Sequence, residues 1–407
     1  MTGLAQRIEA RAGMWLALLI LLTLIVRGAA AIILAQPVES DAAAYLAMAD
    51  NLVRQGAPTD IHGNHAFYSI GYPLLLAPFV AVMGAQMPGA IALNLLLAAL
   101  SATLVWRIAG QLGLPVWARL LAVAGHALWI PGIWNASGAA RENLSTPLLL
   151  FVAAESLALL RGTRGAAFSA GLGWGAGILA GGSSLLIGAA PVTALLLRRQ
   201  PFARGMAALI GGAALLIAPW LLATTALVGS PVINTNGGFN LYLGHNHAAT
   251  GRFVSIGDTP AGPRWEAMRR DLGEAGASAA LGQEATGWMA ANPGRTITLA
   301  ATTLALFWAP NAPDAADFAT SRAVAGLRLI EVGQYLLILA LALWGLSRWR
   351  FAAGQRRLLL AHVGSFWIIH AATYIIPRYR DPVMPLLIIL AAAGLAALAQ
   401  RREAANG

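Results

Sequence analysis

Long apolar stretches constrain the fold of this chain more than any other feature. A transmembrane helix needs about 20 mostly apolar residues, because no water reaches its backbone polar groups inside the bilayer. Stretches suited to that role follow one another at residues 14–34, 88–109, 117–134, 144–160, 166–181, 183–197, 206–228, 329–347, 358–376 and 382–400. With 58% hydrophobic and only 11% charged residues, the sequence predicts an all-α polytopic membrane protein with about ten transmembrane helices.

The distribution of arginine predicts how these helices are oriented. All 27 basic residues of the 407 are arginine, and most of them fall on the inner side if both termini are cytoplasmic. Two further apolar stretches, residues 71–84 and 295–310, would move inner arginines outside if they crossed, so we expect them to be interfacial or re-entrant. The net charge of +10 is thus a topology signal, and nucleic acid is not implied as a partner.

The absence of two residue types excludes several kinds of chemistry. Without lysine, the chain has neither a Schiff-base nucleophile nor a P-loop lysine, so a bound phosphate would be held by arginine or by backbone amides. Without cysteine, it has no disulfide, thiol nucleophile, iron–sulfur cluster or Cys-type zinc site.

The polar residues that could carry chemistry collect in three outer segments. These segments are residues 36–87, 135–143 and 230–328. The sequence therefore divides into an N-terminal transmembrane module (1–228) with its outer loop 36–87, a periplasmic segment (229–328) and C-terminal transmembrane helices (329–407). In the periplasmic segment we expect one or two juxtamembrane surface helices at 265–289, and tight turns in the Gly/Asn-rich run 234–252.

Asp41 lies just after the first apolar stretch, at the expected membrane surface, with Glu39 before it and Tyr45 four residues after it. If a helix begins here, Asp41 and Tyr45 share one face. A carboxylate in this position can accept a proton from an attacking hydroxyl group, and a nearby arginine would keep it ionised. The alternative is that these acids decorate a solvated loop or cap a helix.

Two further outer motifs combine arginine with an acid. Arg141 could contact a phosphate and Glu142 could orient an acceptor or help to hold a metal, although Glu142 also suits the positive end of a helix. Arg378 and Arg380 lie at an outer interface, against the usual preference for inner positive charge, and a lipid phosphate would explain them. Snorkelling or pairing with Asp381 is the alternative for these two arginines.

Four outer histidines could meet at one metal site. His62 and His65 belong to the first outer segment, and His245 and His247 to the long one. Neutral imidazoles suit zinc, but neither pair has the spacing typical of a zinc protease. The alternative is that these histidines are exposed or contact a substrate.

The order and spacing of the outer motifs resemble those of the GT-C superfamily of polyprenyl-phosphate-sugar-dependent glycosyltransferases. The likeness is strongest to the bacterial branch related to protein O-mannosyltransferases and the lipid A aminoarabinose transferase, and it extends over nearly the whole chain. It is carried by Asp41, Tyr45, Gly71-Tyr72-Pro73, Ser137-Gly138, Glu142-Asn143, Asn236 to Gly244, Asn246, Thr250-Gly251-Arg252 and Arg378-Tyr379-Arg380. The resemblance implies a GT-C-like fold in which Asp41 is catalytic. Its implied substrate-binding residues are Glu39, Tyr45, Tyr72, Arg141, Glu142, Asn236, Asn240, Asn246, Arg378 and Arg380.

The resemblance implies inverting transfer of a sugar from a polyprenyl-phosphate donor to a glycolipid, glycan or protein on the periplasmic side of a bacterial inner membrane. Asp41 would deprotonate the acceptor, while Arg378 and Arg380, with Arg27 or Arg141, would stabilise the lipid phosphate. No metal is required by default, and a divalent metal remains an option. The alternatives are a lipid-sugar transporter or flippase, and an oligosaccharide ligase or polymerase that uses a diphosphate-linked glycan.

The sequence departs from the family pattern in four places. Ala42 stands where many relatives have a second acid, and Gly71-Tyr72 stands where the aminoarabinose transferases have a lysine. Gly181-Gly182 occupies a site where relatives often have an arginine, and His245 and His247 replace the more usual Asn and Pro. These departures leave the identity of the sugar and of the acceptor open.

Overall fold

The structure, a computed structural model, describes residues 3–34, 36–198, 201–314, 319 and 321–406. Within these ranges the ordered elements are helices, and the β-type pairing they contain is an isolated bridge between Arg252 and Ile375. The predicted all-α class of polytopic membrane protein is therefore confirmed.

The chain forms helices of very different lengths. In the first half they are α1 (Gly3–Ala10), α2 (Ala12–Ile33), α3 (Ser40–Gln55), α4 (Gly71–Met83), α5 (Met87–Gln111), α6 (Val116–Ala127), α7 (Ile130–Asn135), α8 (Glu142–Leu160), α9 (Ala166–Ala180), α10 (Ala189–Leu197) and α11 (Phe202–Val228). In the second half they are α12 (Gly237–Gly244), α13 (Trp265–Ala291), α14 (Pro293–Trp308), α15 (Arg322–Arg348), α16 (Gln355–Ile368) and α17 (Met384–Asn406). Tighter 3₁₀ helices cover Gly182–Gly188, Ile256–Asp258, Gly262–Arg264, Ile369–Ala372 and Pro377–Val383.

Six helices of the described chain are long and apolar enough to cross a membrane. They are α2, α5, α8, α11, α15 and the segment Pro377–Ala404, which contains most of α17. The other four predicted crossings correspond to shorter elements: α6 with α7, α9, α10 with the 3₁₀ helix before it, and α16 with the 3₁₀ helix after it. The number of crossings stays a prediction.

The segment that contains α17 lies at the centre of the bundle. In its apolar window 83% of the residues are buried, compared with 22% in α2 and α11 and 17% in α15. It packs against α15 and α6, and its residues contribute most of the largest hydrophobic cluster together with α5 and α8. The three weakly buried helices present apolar surface outward, as helices in contact with lipid do.

A break between α6 and α7 interrupts a stretch predicted to be one continuous helix, residues 117–134. The freed backbone groups are satisfied by two distant side chains. Arg27 of α2 donates to the carbonyl oxygens of Gly132 and His126. Gln334 of α15 donates to Leu128 O at 2.9 Å and accepts from Ile130 N at 3.2 Å. Inside a bilayer, such a break persists only when the protein itself supplies these partners.

The helix α4 covers the stretch predicted to be re-entrant. Its 13 residues span about 20 Å, which is less than the roughly 30 Å thickness of the hydrocarbon core. At its start a Cβ on Gly71 would lie 2.8 Å from Ala180 N and 2.9 Å from the Leu179 carbonyl carbon. The glycine therefore permits α4 to touch the backbone at the end of α9.

The long outer segment folds onto itself through small residues. The Gly/Asn-rich run was predicted to form tight turns, but residues Gly237–Gly244 form α12, because Gly238 allows this helix to touch the backbone of Ser278 in α13. The predicted surface helices form α13, whose two helical parts meet at a kink at Gly273, where φ is 68° and the backbone is not helical. Tyr242 and Trp265 anchor a hydrophobic cluster between these elements.

Candidate active site

Asp41 and Arg378 form an ion pair although 337 residues separate them in sequence. Arg378 Nη2 donates to Asp41 Oδ2 at 2.6 Å. Asp41 lies in the first turn of α3, and Arg378 lies in the 3₁₀ helix that leads into α17. The two side chains are 37% and 40% exposed, so the pair is accessible from outside the bundle. The Asp41 carboxylate therefore has a guanidinium as its direct partner.

The backbone immediately before Asp41 is strained. Ser40 has φ = 50° and is the only non-glycine residue of the described chain with a positive φ. Glu39 occupies the N-cap position of α3, but its exposed side chain accepts no capping hydrogen bond. The reading of these acids as helix caps is thus not supported by their contacts. Strain of this kind often accompanies functional side chains, because the surrounding structure must hold it in place.

Glu142 lies beneath the Asp41–Arg378 pair and is almost completely buried. Its Oε1 is 3.5 Å from Arg378 Nε and 3.7 Å from Arg141 Nε, and its side chain is 5% exposed. Burial alone would lower the pKa of Arg141, but Tyr45, Tyr379, Glu142 and Asp41 raise it above its ordinary value. We call Asp41, Arg378, Glu142 and Arg141 the Asp41 cluster. In it, Glu142 holds two guanidiniums and is not open to an acceptor.

Aromatic side chains surround the cluster. Tyr45 is buried, lies 5.5 Å from Tyr72 and 5.7 Å from Tyr68 between ring centroids, and has a pKa raised well above its ordinary value by burial. Burial, reinforced by the charge of Asp41, also raises the pKa of Tyr68 to about 12. Arg141 lies over the ring of Tyr379 at 5.7 Å. The two phenols therefore stay protonated, and Asp41 is the accessible carboxylate of the cluster.

A cavity of about 410 Å³ reaches the cluster at Arg378. Apolar and aromatic side chains form one part of its wall: Ile130, Pro131, Trp134, Val324 and Leu327. Polar and charged side chains form the other: Gln36, Asn135, Asn311, Arg328, Glu331, Arg378, Arg380 and Asp381. We call this space the Trp134 cavity. The break between α6 and α7 opens it, since α7 supplies three of the apolar residues.

Arg380 and Arg27 are held more tightly than Arg378. Arg380 is 3% exposed, donates to Ala309 O and lies 4.2 Å from the ring centre of Tyr335. Arg27 is 4% exposed and binds the carbonyls at the α6–α7 break. Asn135 Nδ2 donates to Asp381 Oδ2 at 2.7 Å. Arg378 is thus the arginine of this group that combines access to Asp41 with access to the Trp134 cavity.

Tyr72 supports the site from below and is completely buried. Its hydroxyl donates to Asn94 Oδ1 at 2.9 Å, and Asn94 Nδ2 donates to Ala136 O and Gly138 O. This chain of bonds fixes the loop that precedes Arg141. The sequence interpretation passed over Asn94, although an amide inside an apolar helix of 25 residues is a signal that it has a buried partner.

The amides of the long outer segment are occupied by contacts within the protein. Asn240 Oδ1 accepts from the Tyr374 hydroxyl at 3.0 Å. Asn246 is buried and bonds to the carbonyl of Tyr242, and Asn236 holds the N-cap position of α12 without a capping bond. The role of all three in binding substrate stays a prediction, while Asn240 and Asn246 also stabilise α12 and its junction with Tyr374.

The four candidate metal-binding histidines have separate surroundings. His62 and His65 line a second outer cavity of about 490 Å³, together with Arg269 and Arg270 of α13. His245 is buried with Nδ1 3.2 Å from Leu241 O, and burial lowers its pKa. His247 meets the ring of Trp288 edge-on at 5.9 Å. In the described chain no three His, Cys, Asp or Glu side chains come close enough together to hold a metal ion, so the four histidines do not form the predicted site.

Comparison with known proteins bears on the fold. No protein-family model matches the chain, and no curated protein matches it. The crystal structure of ArnT from Cupriavidus metallidurans in the apo state superimposes on 94% of this chain, with a TM-score of 0.57 and 13% sequence identity. The fold is similar to that of ArnT. A structure of ArnT from the same organism bound to undecaprenyl phosphate matches 96% of this chain and 79% of its own, with a TM-score of 0.46 and 14% identity.

At 13% identity the likeness to ArnT shows the fold alone, and membership of the GT-C superfamily stays a prediction. The chain spans 60% of the length of the apo ArnT structure. The relation to protein O-mannosyltransferases stays a prediction.

Proposed function

We propose that this protein is a membrane-embedded inverting glycosyltransferase. It would move a sugar from a polyprenyl-phosphate donor to a periplasmic acceptor at the outer face of a bacterial inner membrane. The observation that carries the proposal is the contact of Asp41 with Arg378 at one end of the Trp134 cavity. A base and a phosphate-binding cation are thereby adjacent at the mouth of a space with apolar walls.

The Trp134 cavity suits the donor because its wall combines apolar side chains with cationic ones. Trp134, Val324 and Leu327 offer a surface for the isoprenoid chain next to the phosphate. Arg378 offers guanidinium N–H groups to the phosphate oxygens, in the geometry that arginine favours for such anions. Arg378 Nε is buried and 3.5 Å from its nearest carboxylate oxygen, which is longer than a good hydrogen bond. A phosphate would satisfy it better.

The reaction proposed here needs a base, an acceptor and a leaving group in line. Asp41 accepts the proton of the acceptor hydroxyl or amine as that nucleophile forms a bond to the anomeric carbon. The bond from the anomeric carbon to the phosphate oxygen breaks, and polyprenyl phosphate leaves with the electron pair. Arg378 stabilises the negative charge that develops on the phosphate. Attack from the opposite side inverts the anomeric configuration.

Donor binding would also change the surroundings of Asp41. In the structure, Asp41 Oδ2 and Arg378 Nη2 are hydrogen-bonded. A phosphate that takes over this donor leaves the carboxylate free to accept from the acceptor. Glu142 keeps Arg378 in position during the exchange, because it is buried and ionically paired with it.

The test is a comparison of two aspartate variants of the same helix. Asp41→Asn should lower transfer by about 10²- to 10⁴-fold, which is the usual contribution of a general base. Asp50→Asn is the matched control, because Asp50 also lies in α3 but pairs with Arg54 at 2.8 Å. The readout is mass spectrometry of lipids and polysaccharides from cells that carry the wild type, either variant or no copy.

The proposal is supported if a sugar-bearing product appears in cells that carry the wild type or Asp50→Asn. The same product should be absent or strongly reduced in cells that carry Asp41→Asn or no copy. Normal product with Asp41→Asn refutes the role of this residue. Movement of lipid-linked sugar across proteoliposomes, without any glycosylated product, would favour a transporter instead.

A further inference from the structure

A third cavity lies at the opposite end of the bundle from the Asp41 cluster. It has a volume of about 510 Å³ and is bounded by the ends of α8 and α10, the loop before α16 and the first turn of α16. Glu142 begins α8 and Leu160 ends it, so α8 alone separates the two sites by about 27 Å. The cavity therefore cannot take part directly in the chemistry at Asp41.

The charge around this cavity is entirely positive. Arg356 and Arg357 line it. The sequence contains no Asp or Glu from residue 156 to 257 or from residue 332 to 380, and these two segments supply every residue of its wall. Arg198 adds a third cation nearby. It follows Leu197 in sequence, and its Nη2 would lie 3.2 Å from a Cβ on Gly162, two residues after Leu160. These charges attract an anion to the cavity.

The remaining wall of the cavity is apolar. Leu160, Leu197 and Phe351 form it, and all three are half-buried. Gly354 has φ = 85°, and a Cβ there would lie 3.0 Å from Leu197 and 3.2 Å from Leu160, so glycine allows the loop to close over the helix ends. Arg356 lies 5.6 Å from the ring centre of Phe351. Cationic and apolar surfaces thus meet where two helices of the bundle end.

We propose that this cavity binds the headgroup of an anionic lipid from the leaflet opposite the Asp41 cluster. Arg356 and Arg357 contact the phosphate, and the beginning of the acyl chains lies along Leu160 and Phe351. Basic pockets between helices at the headgroup level are suited to such lipids. A soluble phosphate would use the two arginines alone, whereas a lipid also uses the apolar wall.

The experiment measures lipid binding to the whole protein in nanodiscs. Phosphatidylglycerol is titrated into discs of phosphatidylcholine. Native mass spectrometry then counts the lipids that stay bound to the protein after it is released from the discs. The double variant Arg356→Gln/Arg357→Gln should bind phosphatidylglycerol about thirtyfold more weakly than the wild type, or about 2 kcal/mol, at about 1 kcal/mol for each arginine.

The control removes the same number of charges without touching the cavity wall. Arg164→Gln/Arg350→Gln serves this purpose, because both residues are exposed and neither lines the cavity. It should bind phosphatidylglycerol within about threefold of the wild type, since the charge it removes acts only through the general surface potential. If the first double variant fails to fold, Arg357→Gln alone should show an intermediate loss.

Three results would overturn the proposal. The first is equal binding by the wild type and the Arg356/Arg357 variant. The second is an equal loss in the control, which would mean that only overall charge matters. The third is full competition by glycerol phosphate, which would identify a site for soluble phosphates.

Discussion

The carboxylates of Asp41 and Glu142 both contact the guanidinium of Arg378. We expect Asp41→Asn to lose activity but keep its stability, and Glu142→Gln to lose stability but keep more of its kcat. The side chains of Asp41 and Arg378 are 37% and 40% exposed, so solvent screens their pair. An ion pair of this kind contributes about 1 kcal/mol or less to stability. Asp41→Asn should therefore abolish most of the activity and leave the melting temperature within a few degrees of the wild type.

Glu142 contributes more to stability than to the chemical step. Its side chain is 5% exposed and compensates both Arg378, at 3.5 Å, and Arg141, at 3.7 Å. Removal of one partner from a buried charge pair leaves the other uncompensated, which costs about 3 kcal/mol. Glu142→Gln should lower the melting temperature by several degrees. It should raise the donor KM more than it lowers kcat, because the positions of the phosphate-binding arginines change but the base remains.

The assay combines two measurements on the same nanodisc preparations. Thermal unfolding gives the melting temperatures, and transfer rates at varied donor concentration give kcat and KM. The reasoning is wrong if Glu142→Gln melts like the wild type while Asp41→Asn unfolds early. It is also wrong if Glu142→Gln loses as much kcat as Asp41→Asn at saturating donor.

Three other substitutions test the support of the site. Gly71→Ala should destabilise the protein by about 1–3 kcal/mol in a melting assay, because its Cβ would lie 2.8 Å from the backbone nitrogen of Ala180. Gly333→Ala is the control: Gly333 has open space around it, so this variant should be neutral or stabilising in the same assay. Gln334→Leu should cost about 1–3 kcal/mol, since Leu128 O loses its donor. Ser40→Gly should stabilise by about 1 kcal/mol, because glycine accepts φ = 50° without strain, and urea titration of the purified variant would reveal it.

The helices could be predicted from sequence because a run of apolar residues is a local property. The side chains that stabilise the breaks could not. Pro131-Gly132 is a local signal that a helix is interrupted near residues 128–130, but the stabilising side chains, Arg27 and Gln334, lie about 100 and 200 residues away. The Gly/Asn-rich run was misjudged for a related reason. Gly238 and Gly244 permit close contact of α12 with the backbone of Ser278 and Thr373, which are distant in sequence.

The candidate site was predicted in its parts and not in its arrangement. Topology suggested that Asp41, Glu142 and Arg378 share one side of the membrane, and the structure brings all three into contact. It also separates Arg378 from Arg380, which the sequence treated as a pair. Residues two positions apart in a 3₁₀ helix point in different directions, so Arg378 meets Asp41 while Arg380 packs on Tyr335.

The distance in sequence between Asp41 and Arg378 has a consequence for biogenesis. During synthesis, α3 leaves the ribosome long before the segment that carries Arg378. That segment continues into α17, whose place is in the middle of helices that are already made. The ion pair therefore forms only when the central helix α17 has been inserted among its predecessors. A nascent chain stalled before that point would hold Asp41 without Arg378, so under the function proposed above it would lack the cation that binds the donor phosphate.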